Sequence, residues 1–394
     1  MLNNKDIICI SNTTWYGDYT KSTVQLMSRF AHQNRVLFIE YPSTIKDMIL
    51  AILGKKQAPV KRMLGLNKRL ISIKSDVGSQ VYNLVMPPVL PVYFVKNEWL
   101  FQKLQGLNIL MYRCYLKRFL RKLKFKNPLV VNAYNAFYGL PLMKKLNQEL
   151  DIYYCYDGYD IPRYGERIID VDEKFSGSVD AVITTSDYLK QDKLKVTKHS
   201  FVVKNGVDYD IFKTKVKSAP HERKNKIAGY IGSLDHRFDI DIIEYAVKNL
   251  SNFEFHFTGG FLGATAIKER LNQYPNVKFF APVNPNEVPA LLATYDVGII
   301  PYTLTEYNKN IYPLKINEYL AVGVPVVMTA FADLKDFEGM VSVVSDNKSF
   351  TEALLNETGT DSEILIKKRT EFARLNSWDN RTLEFSSIIE QFLK

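Results

Sequence analysis

Short runs rich in β-branched and aromatic residues alternate with helical stretches along this chain, and the rhythm is played twice. In the first half, Asp6–Ser11 (DIICIS), Val36–Glu40 (VLFIE), Leu129–Asn132, Ile152–Tyr156 (IYYCY), Ala181–Thr184 and Phe201–Val203 read as short buried strands. Thr20–Gln33, Leu140–Leu150 and Asp187–Lys195 read as helices among them. In the second half the strands are Ile227–Ile231, Phe253–Thr258, Val277–Phe280, Val297–Pro301, Pro325–Met328 and Val341–Val344. The helices there fall near Asp239–Asn249, Ala264–Tyr274, Pro285–Ala293 and Leu314–Val322. Such alternation favours parallel sheets covered on both faces. The expectation is an α/β protein of two Rossmann-like domains whose parallel sheets face each other across a cleft. With 394 residues, each domain has enough chain for its own core. The polar stretch Lys213–Lys226 reads as the linker, which sets an amino-terminal domain at 1–212 and a carboxyl-terminal one at 213–378. A last helix within 379–394 is expected to pack back on the first domain.

Charge is distributed unevenly. Between Ile45 and Lys126 stand 17 Lys and Arg against three acids, a net of +14 in a chain whose total is +10. Two stretches of this segment read as amphipathic. Ile45, Met48, Ile49, Ile52 and Leu53 share a helical face, with Lys55, Lys56, Lys61 and Arg62 just beyond. From Glu98 to Lys124, Arg113, Lys117, Arg121 and Lys124 share one face, and Trp99, Leu100, Leu107, Met111, Leu116, Leu120 and Leu123 supply apolar surface. Basic amphipathic helices fit an anionic membrane surface; the bland alternative is a solvated helix face. Nucleic acid is disfavoured, since no zinc finger, recognition helix or RNP-type aromatic pattern is present. Three scattered cysteines suit a reducing compartment and make no disulfide framework. The first residues enter a strand without a signal-peptide pattern, and no run of about 18 apolar residues occurs.

Open parallel sheets bind ligands beyond the carboxyl ends of their strands. That rule selects Gly17, Asp157, Ser186, Asn205–Gly206, Gly232–Ser233, Gly259–Gly260, Tyr302 and the loop before Leu314. The segment Asn310–Val327 (NIYPLKINEYLAVGVPVV) is the most informative. Pro313 suits a first helical turn, and Gly323 ends the helix before a strand. A helix amino terminus gathers free N–H groups and suits phosphate, and Lys315 adds a full charge there. Glu318, about a turn later, would reach the hydroxyls of a ribose on the same ligand. An ordinary αβ unit with solvated Lys and Glu is the plainer alternative.

PLKINEYLAVGVPVV resembles the donor-binding helix of GT-B glycosyltransferases, in particular the bacterial cell-surface polysaccharide enzymes of the family 4-like, teichuronic acid type. Val179–Leu189 (VDAVITTSDYL), Val202–Phe212 (VVKNGVDYDIF) and Ile227–Asp239 (IAGYIGSLDHRFD) are similar to three further motifs of that group, in the same order. The amino-terminal match is weaker and rests on the WYGDYTKS loop and Val36–Pro42. The resemblance implies a GT-B fold, a nucleotide-sugar donor, UDP-linked by expectation, and no metal or other cofactor. Gly232 and Ser233 would let the backbone approach the diphosphate, Arg237 would pair with it as a planar fork, and Lys315 would neutralise it as it leaves. Glu318 would hold the ribose, Ala281–Val283 the base, and Tyr302 would close the pocket. Many retaining relatives carry a Glu eight residues before the position of Glu318; here it is Asn310.

Asp157, in YCYDGYD, stands where retaining relatives often have His, and a carboxylate there suits inversion, with Asp157 as the base for an acceptor hydroxyl. Asp160 is the rival, and an Asp capping the next turn the structural alternative. Asp208-Tyr209-Asp210 and Asp170-Val171-Asp172 match D-x-D formally, but a turn or packing role is expected for Asp208. The five histidines lack metal spacing. The reading is a glycosyltransferase of cell-surface glycan synthesis, cytoplasmic and peripheral on the inner membrane face. Its acceptor would be a lipid-linked, polyprenyl-diphosphate glycan, with Lys117, Arg118, Arg121 and Lys122 on the acceptor and membrane face. The alternatives are a non-transferring relative such as a nucleotide-sugar 2-epimerase, and a basic protein that binds glycan or polyanion without turnover.

Overall fold

The computed structural model describes residues 1–17, 21–159, 161–261, 263 and 265–393, and for Pro162 and Arg163 the backbone alone. Asp160, part of the WYGDYTKS loop and the first residue of the helix expected from Ala264 lie outside the described residues. The chain divides into two compact units. The first comprises Met1–Gly17, Lys21–Lys204 and the residues from Thr382 on, and the second comprises Asn205–Arg381.

The first unit holds an eight-stranded sheet: β1 (Asp6–Ser11), β2 (Arg35–Ile39), β3 (Leu70–Lys74), β4 (Gln80–Leu84), β5 (Leu129–Ala133), β6 (Leu150–Cys155), β7 (Ala181–Thr184) and β8 (Ser200–Val202). Their order is β3-β4-β2-β1-β5-β6-β7-β8, parallel except for the antiparallel β3–β4 pair at one edge. Every residue of β1, β5, β6 and β7 is buried, which is why these strands read as continuous apolar runs. The second unit has six parallel strands: β9 (Lys226–Ile231), β10 (Phe253–Thr258), β11 (Val277–Phe280), β12 (Val297–Ile300), β13 (Val326–Thr329) and β14 (Ser342–Val344). Their order is β11-β10-β9-β12-β13-β14. The chain winds outward from β9 in one direction, then returns beside it as β12 and winds the other way. A crevice therefore opens at the carboxyl ends of β9 and β12, where successive connections diverge.

Several elements differ from the sequence reading. The helix expected at Leu140–Leu150 is instead Ala136–Leu142, after which Lys144 and Asn147 adopt left-handed backbone and turn the chain into β6. The β3–β4 hairpin and the helix Arg167–Ser176 were not anticipated. Pro313 is the residue before the helix Leu314–Ala321, with extended ψ of 124°, rather than part of its first turn. The stretch taken as a linker is built into the second unit: Lys217 is buried, faces Asp361 at 3.7 Å and donates to the Tyr295 carbonyl. The first unit's continuous stretch ends at Lys204, eight residues before the expected boundary at 212. The helix Trp378–Glu390 starts in the second unit and finishes in the first. There Phe385 packs edge-on to Phe30 and Tyr154, and the Leu2 N–H donates to Ser386 Oγ.

Within the basic segment, the helix Glu98–Leu123 is 26 residues long, about 39 Å. It starts at Asn97, whose side chain accepts from the Leu100 N–H. Its core stripe is Phe101, Gln105, Asn108, Tyr112, Leu116 and Leu120, while Trp99, Leu100 and Leu107 are exposed. Asn108 and Gln105 are satisfied by the Leu90 backbone and the Phe137 carbonyl. The helix Ile45–Ile52 buries none of its residues.

The placement of Lys117, Arg118, Arg121 and Lys122 needs correction. The helix that carries them delivers the chain to the start of β5, so its last turns lie at the amino-terminal edge of the first sheet. Asp157 follows the carboxyl end of β6, on the opposite edge. These four cations therefore lie at the other edge of the sheet from Asp157.

Candidate functional site

In the second unit, a pocket sits beyond the carboxyl ends of β9, β10 and β11, lined by Ile231, Gly232, Thr258, Gly259, Pro282, Val283, Pro285, Val288, Leu314, Lys315 and Glu318. It draws on the ends of three adjacent strands and the start of the helix Leu314–Ala321. Two glycines make it possible. A Cβ on Gly259 would lie 1.9 Å from the Gly232 carbonyl oxygen, and one on Gly232 would lie 2.7 Å from Lys315 Nζ. Both have positive φ, 148° and 128°, so they combine close approach with backbone that other residues resist.

Lys315 Nζ donates to Tyr302 Oη (2.6 Å) and Tyr230 Oη (3.1 Å), and lies over both rings. Tyr230 in turn donates to the Ser233 carbonyl (2.8 Å), so one phenol links the lysine to the glycine turn. Two of the ammonium's three N–H bonds are thereby directed, and the third remains for a ligand. Burial alone would lift the Tyr302 hydroxyl, but the Lys315 ammonium and the Arg237 guanidinium outweigh it and hold it below the ordinary phenol value. Burial and the neighbouring Tyr302 push Tyr230 well above that value.

Glu318, one turn along the helix, accepts no hydrogen bond or ion pair from the described residues. Only a minor part of it is open to the pocket, and desolvation raises its carboxyl to about 7 against the partial relief of Lys315. A carboxylate so placed is an acceptor awaiting donors. Val283 lines the same pocket, while Ser233 and Tyr302 do not: the Ser233 carbonyl accepts from Tyr230, and Tyr302 accepts from Lys315. Arg237 differs from expectation: its Nε and Nη2 are both taken by Asp235, at 2.8 and 2.5 Å. That face of the fork reaches a diphosphate only if the pair opens. Tyr230, Thr258 and Asp235 were not anticipated from sequence.

Residues 225–357 match the family described as "Glycosyl transferases group 1". The Bacillus subtilis (strain 168) protein TuaH, named as a teichuronic acid biosynthesis glycosyltransferase, is 31% identical over 216 residues. That alignment covers 49% of this chain and 54% of TuaH, so the chain spans about half the length of the curated relative it matches. Sucrose-phosphate synthase from Thermosynechococcus elongatus superposes with a TM-score of 0.71 at 14% identity, covering 99% of both chains. Anabaena HepE, crystallised with UDP and glucose, gives 0.65 at 11% identity over 98% of this chain and 100% of its own. The chain has the GT-B fold. By sequence it is related to the glycosyltransferases of bacterial polysaccharide biosynthesis.

The other GT-B unit carries its own candidate, Asp157, in the turn after β6. Asp157 is half-buried, and its Oδ1 accepts from the Gly158 N–H (2.9 Å). Tyrosines enclose the turn. Tyr134 donates to the Gly158 carbonyl (2.5 Å) and stacks on Tyr159 with 4.2 Å between centroids. Burial and the Asp157 charge together raise the Tyr134 hydroxyl far above its ordinary value. Tyr159 Oη meets Tyr153 Oη at 3.0 Å, Tyr153 donates to Asp172 (2.6 Å), and Asp172 forms a buried ion pair with Lys193. The second half of the D-x-D at 170–172 is thus a buried strut that supports the tyrosines around the Asp157 turn. Asp210, of the other such match, pairs with Lys213, and Asp208 starts the short helix Tyr209–Phe212. Among the described residues no group of three His, Cys, Asp or Glu is placed to hold a metal ion. His236 is exposed and does not line the pocket.

Proposed function

We propose that this chain transfers a sugar from a nucleoside diphosphate donor to an acceptor hydroxyl in the synthesis of a cell-surface glycan. The observation that carries the reading is the second-unit pocket, where a helix start and Lys315 offer positive charge and Glu318 offers an unpaired carboxylate one turn away. The diphosphate lies over Gly232 against Lys315, the ribose hydroxyls donate to Glu318, and the base meets the backbone at Ala281–Val283. HepE was crystallised with UDP, and a UDP-sugar is the donor favoured here. Asp157 takes the proton of the acceptor hydroxyl as its oxygen bonds to the anomeric carbon. The bond from that carbon to the diphosphate breaks with inversion, and Lys315 meets the departing charge.

The acceptor is a lipid-linked, polyprenyl-diphosphate glycan, which places the protein on the cytoplasmic face of the membrane. The segment suited to that surface is 45–68. Ile49, Ile52, Leu53, Leu64 and Leu66 are exposed there, between the exposed Lys46, Lys55, Lys61 and Lys68. Such a mixture inserts shallowly and gains up to about 1 kcal/mol per cation on anionic lipid.

Calorimetry with UDP, GDP and dTDP tests the donor site. One nucleotide is expected to bind the wild-type protein and to bind Lys315→Ala about 10- to 100-fold more weakly, the worth of a charge-assisted hydrogen bond. Folded protein that binds none of them would end the transferase reading. Asp157→Asn is expected to keep nucleotide binding while turnover with the matched acceptor falls at least about a hundredfold. A product of retained anomeric configuration would remove Asp157 as the base.

A further inference from the structure

Five of the six described non-glycine residues with left-handed backbone are Asn4, Lys124, Asn127, Lys144 and Asn147, and all precede strands at the amino-terminal edge of the first sheet. Asparagine tolerates this conformation; lysine adopts it at a cost. At Lys124–Asn127 the surrounding groups hold the chain in it. Arg35 grips Asp6 through two bonds of 2.7 Å, and donates to the carbonyls of Leu123 (3.0 Å) and Lys124 (3.2 Å). Asp6 also accepts the Lys126 N–H at 2.7 Å. Arg35 thereby quenches the carbonyl end of the long helix, which would otherwise repel an anion.

The turn so fixed carries Lys124 and Lys126 into a groove of about 780 Å³. A second groove of about 410 Å³ adjoins it, bordered by Lys117 and Arg121, and Lys126 and Asn127 line both. Lys5 and Arg35 are matched by Glu149 and Asp6. No carboxylate among the described residues pairs with Lys117, Arg121, Lys124 or Lys126. Four unmatched cations around joined recesses raise the local potential, and the rigid turn removes most of the ordering cost of binding there. Around the two grooves apolar cover is sparse: between Leu110 and Ile169 the described chain exposes no large apolar side chain.

We propose that this edge binds a soluble oligophosphate, whose successive phosphate groups span both grooves and pair with Lys117, Arg121, Lys124 and Lys126. The site is separate from the nucleotide pocket and from Asp157, so it tethers a phosphate-bearing molecule without taking part in sugar transfer.

The probe is tripolyphosphate, titrated calorimetrically at low salt into the wild-type protein and three variants. Lys315→Ala removes any contribution of the nucleotide pocket and is expected to bind the probe at this edge as the wild-type protein does. The pair Lys124→Glu/Lys126→Glu is expected to weaken binding at least about tenfold, as is Lys117→Gln/Arg121→Gln on the helix surface. Unchanged melting curves show that these variants fold. The proposal is overturned if Lys315→Ala binds no tripolyphosphate, or if the edge variants bind it as tightly as the wild-type protein. It is overturned too if the edge lysines prove necessary only for capture by vesicles of phosphatidylcholine and phosphatidylglycerol in equal parts.

Discussion

Glu318 illustrates how a single residue trades stability for recognition. Its folded carboxyl titrates near 7 against an ordinary 4.5, because desolvation opposes the charge that a ribose would want. Below about pH 4.5 the group is protonated in both folded and unfolded chains and costs nothing. Between 4.5 and 7 the unfolded chain ionises first, and stability falls until the loss levels off above 7 at about 3 kcal/mol. Glu318→Gln should therefore melt higher than wild type at pH 8, by an amount that vanishes near pH 4.5, while binding the nucleotide more weakly. Equal melting at pH 8 would mean that the carboxylate is fully hydrated. The positions of Gly232, Val283, Lys315 and Glu318 at one pocket were legible because each sits at a strand end or helix start that the sequence punctuates. Tyr230 was not, since its strand reads as continuous core and nothing local says that its hydroxyl reaches Ser233. Nor does local sequence reveal that Asp235, two residues before Arg237, occupies its fork.

At the scale of elements, twelve of the fourteen strands came through within a residue or two and the β3–β4 hairpin did not; the fully buried strands were legible as unbroken apolar runs. What escaped, or had its core face misread, were elements with polar interiors. The helix Arg167–Ser176 buries Asp172, and the helix Glu98–Leu123 buries Gln105 and Asn108, so apolar periodicity misjudges which face is the core. Asp172 also gives a quantitative test. Asp172→Asn leaves the buried Lys193 only the more exposed Asp192 (3.1 Å) as a carboxylate partner and should cost the first unit about 3 kcal/mol in urea unfolding, whereas Asp172→Asn/Lys193→Met should recover most of it. A double variant as unstable as the single one would show that the Tyr153 hydrogen bond, not the charge pair, is the stabilising contact. Topology alone puts Lys117 and Arg121 at the amino-terminal edge of the first sheet. A helix that returns the chain to a parallel strand ends at the amino-terminal edge, away from bound ligands.

For the whole molecule, the alternation of strand and helix sufficed to predict two α/β units, but not where they divide. Asn205–Phe212 looks like the close of the first unit and belongs to the second, since the Asn205 amide bonds to the Tyr312 carbonyl and Val207 pairs with Ser377. Long-range contacts of that kind leave no local mark. The residues from Thr382 on complete the first unit, and Phe385→Ala should destabilise that unit by about 3–5 kcal/mol. Differential scanning calorimetry should show the loss in one transition and leave that of Asn205–Arg381 in place; a shift of both together would mean that the units melt as one.

That return of the chain inverts the order in which the protein can be finished on the ribosome. The stretch Asn205–Arg381 is contiguous and is complete as soon as it emerges, while the earlier-made sheet still waits for its last helical turns. At about 5–20 residues per second, the wait from Lys204 to Thr382 lasts roughly ten seconds to half a minute. Throughout it, Phe30 and Tyr154 lack the cover of Phe385. The half of the protein made first is thus the half completed last.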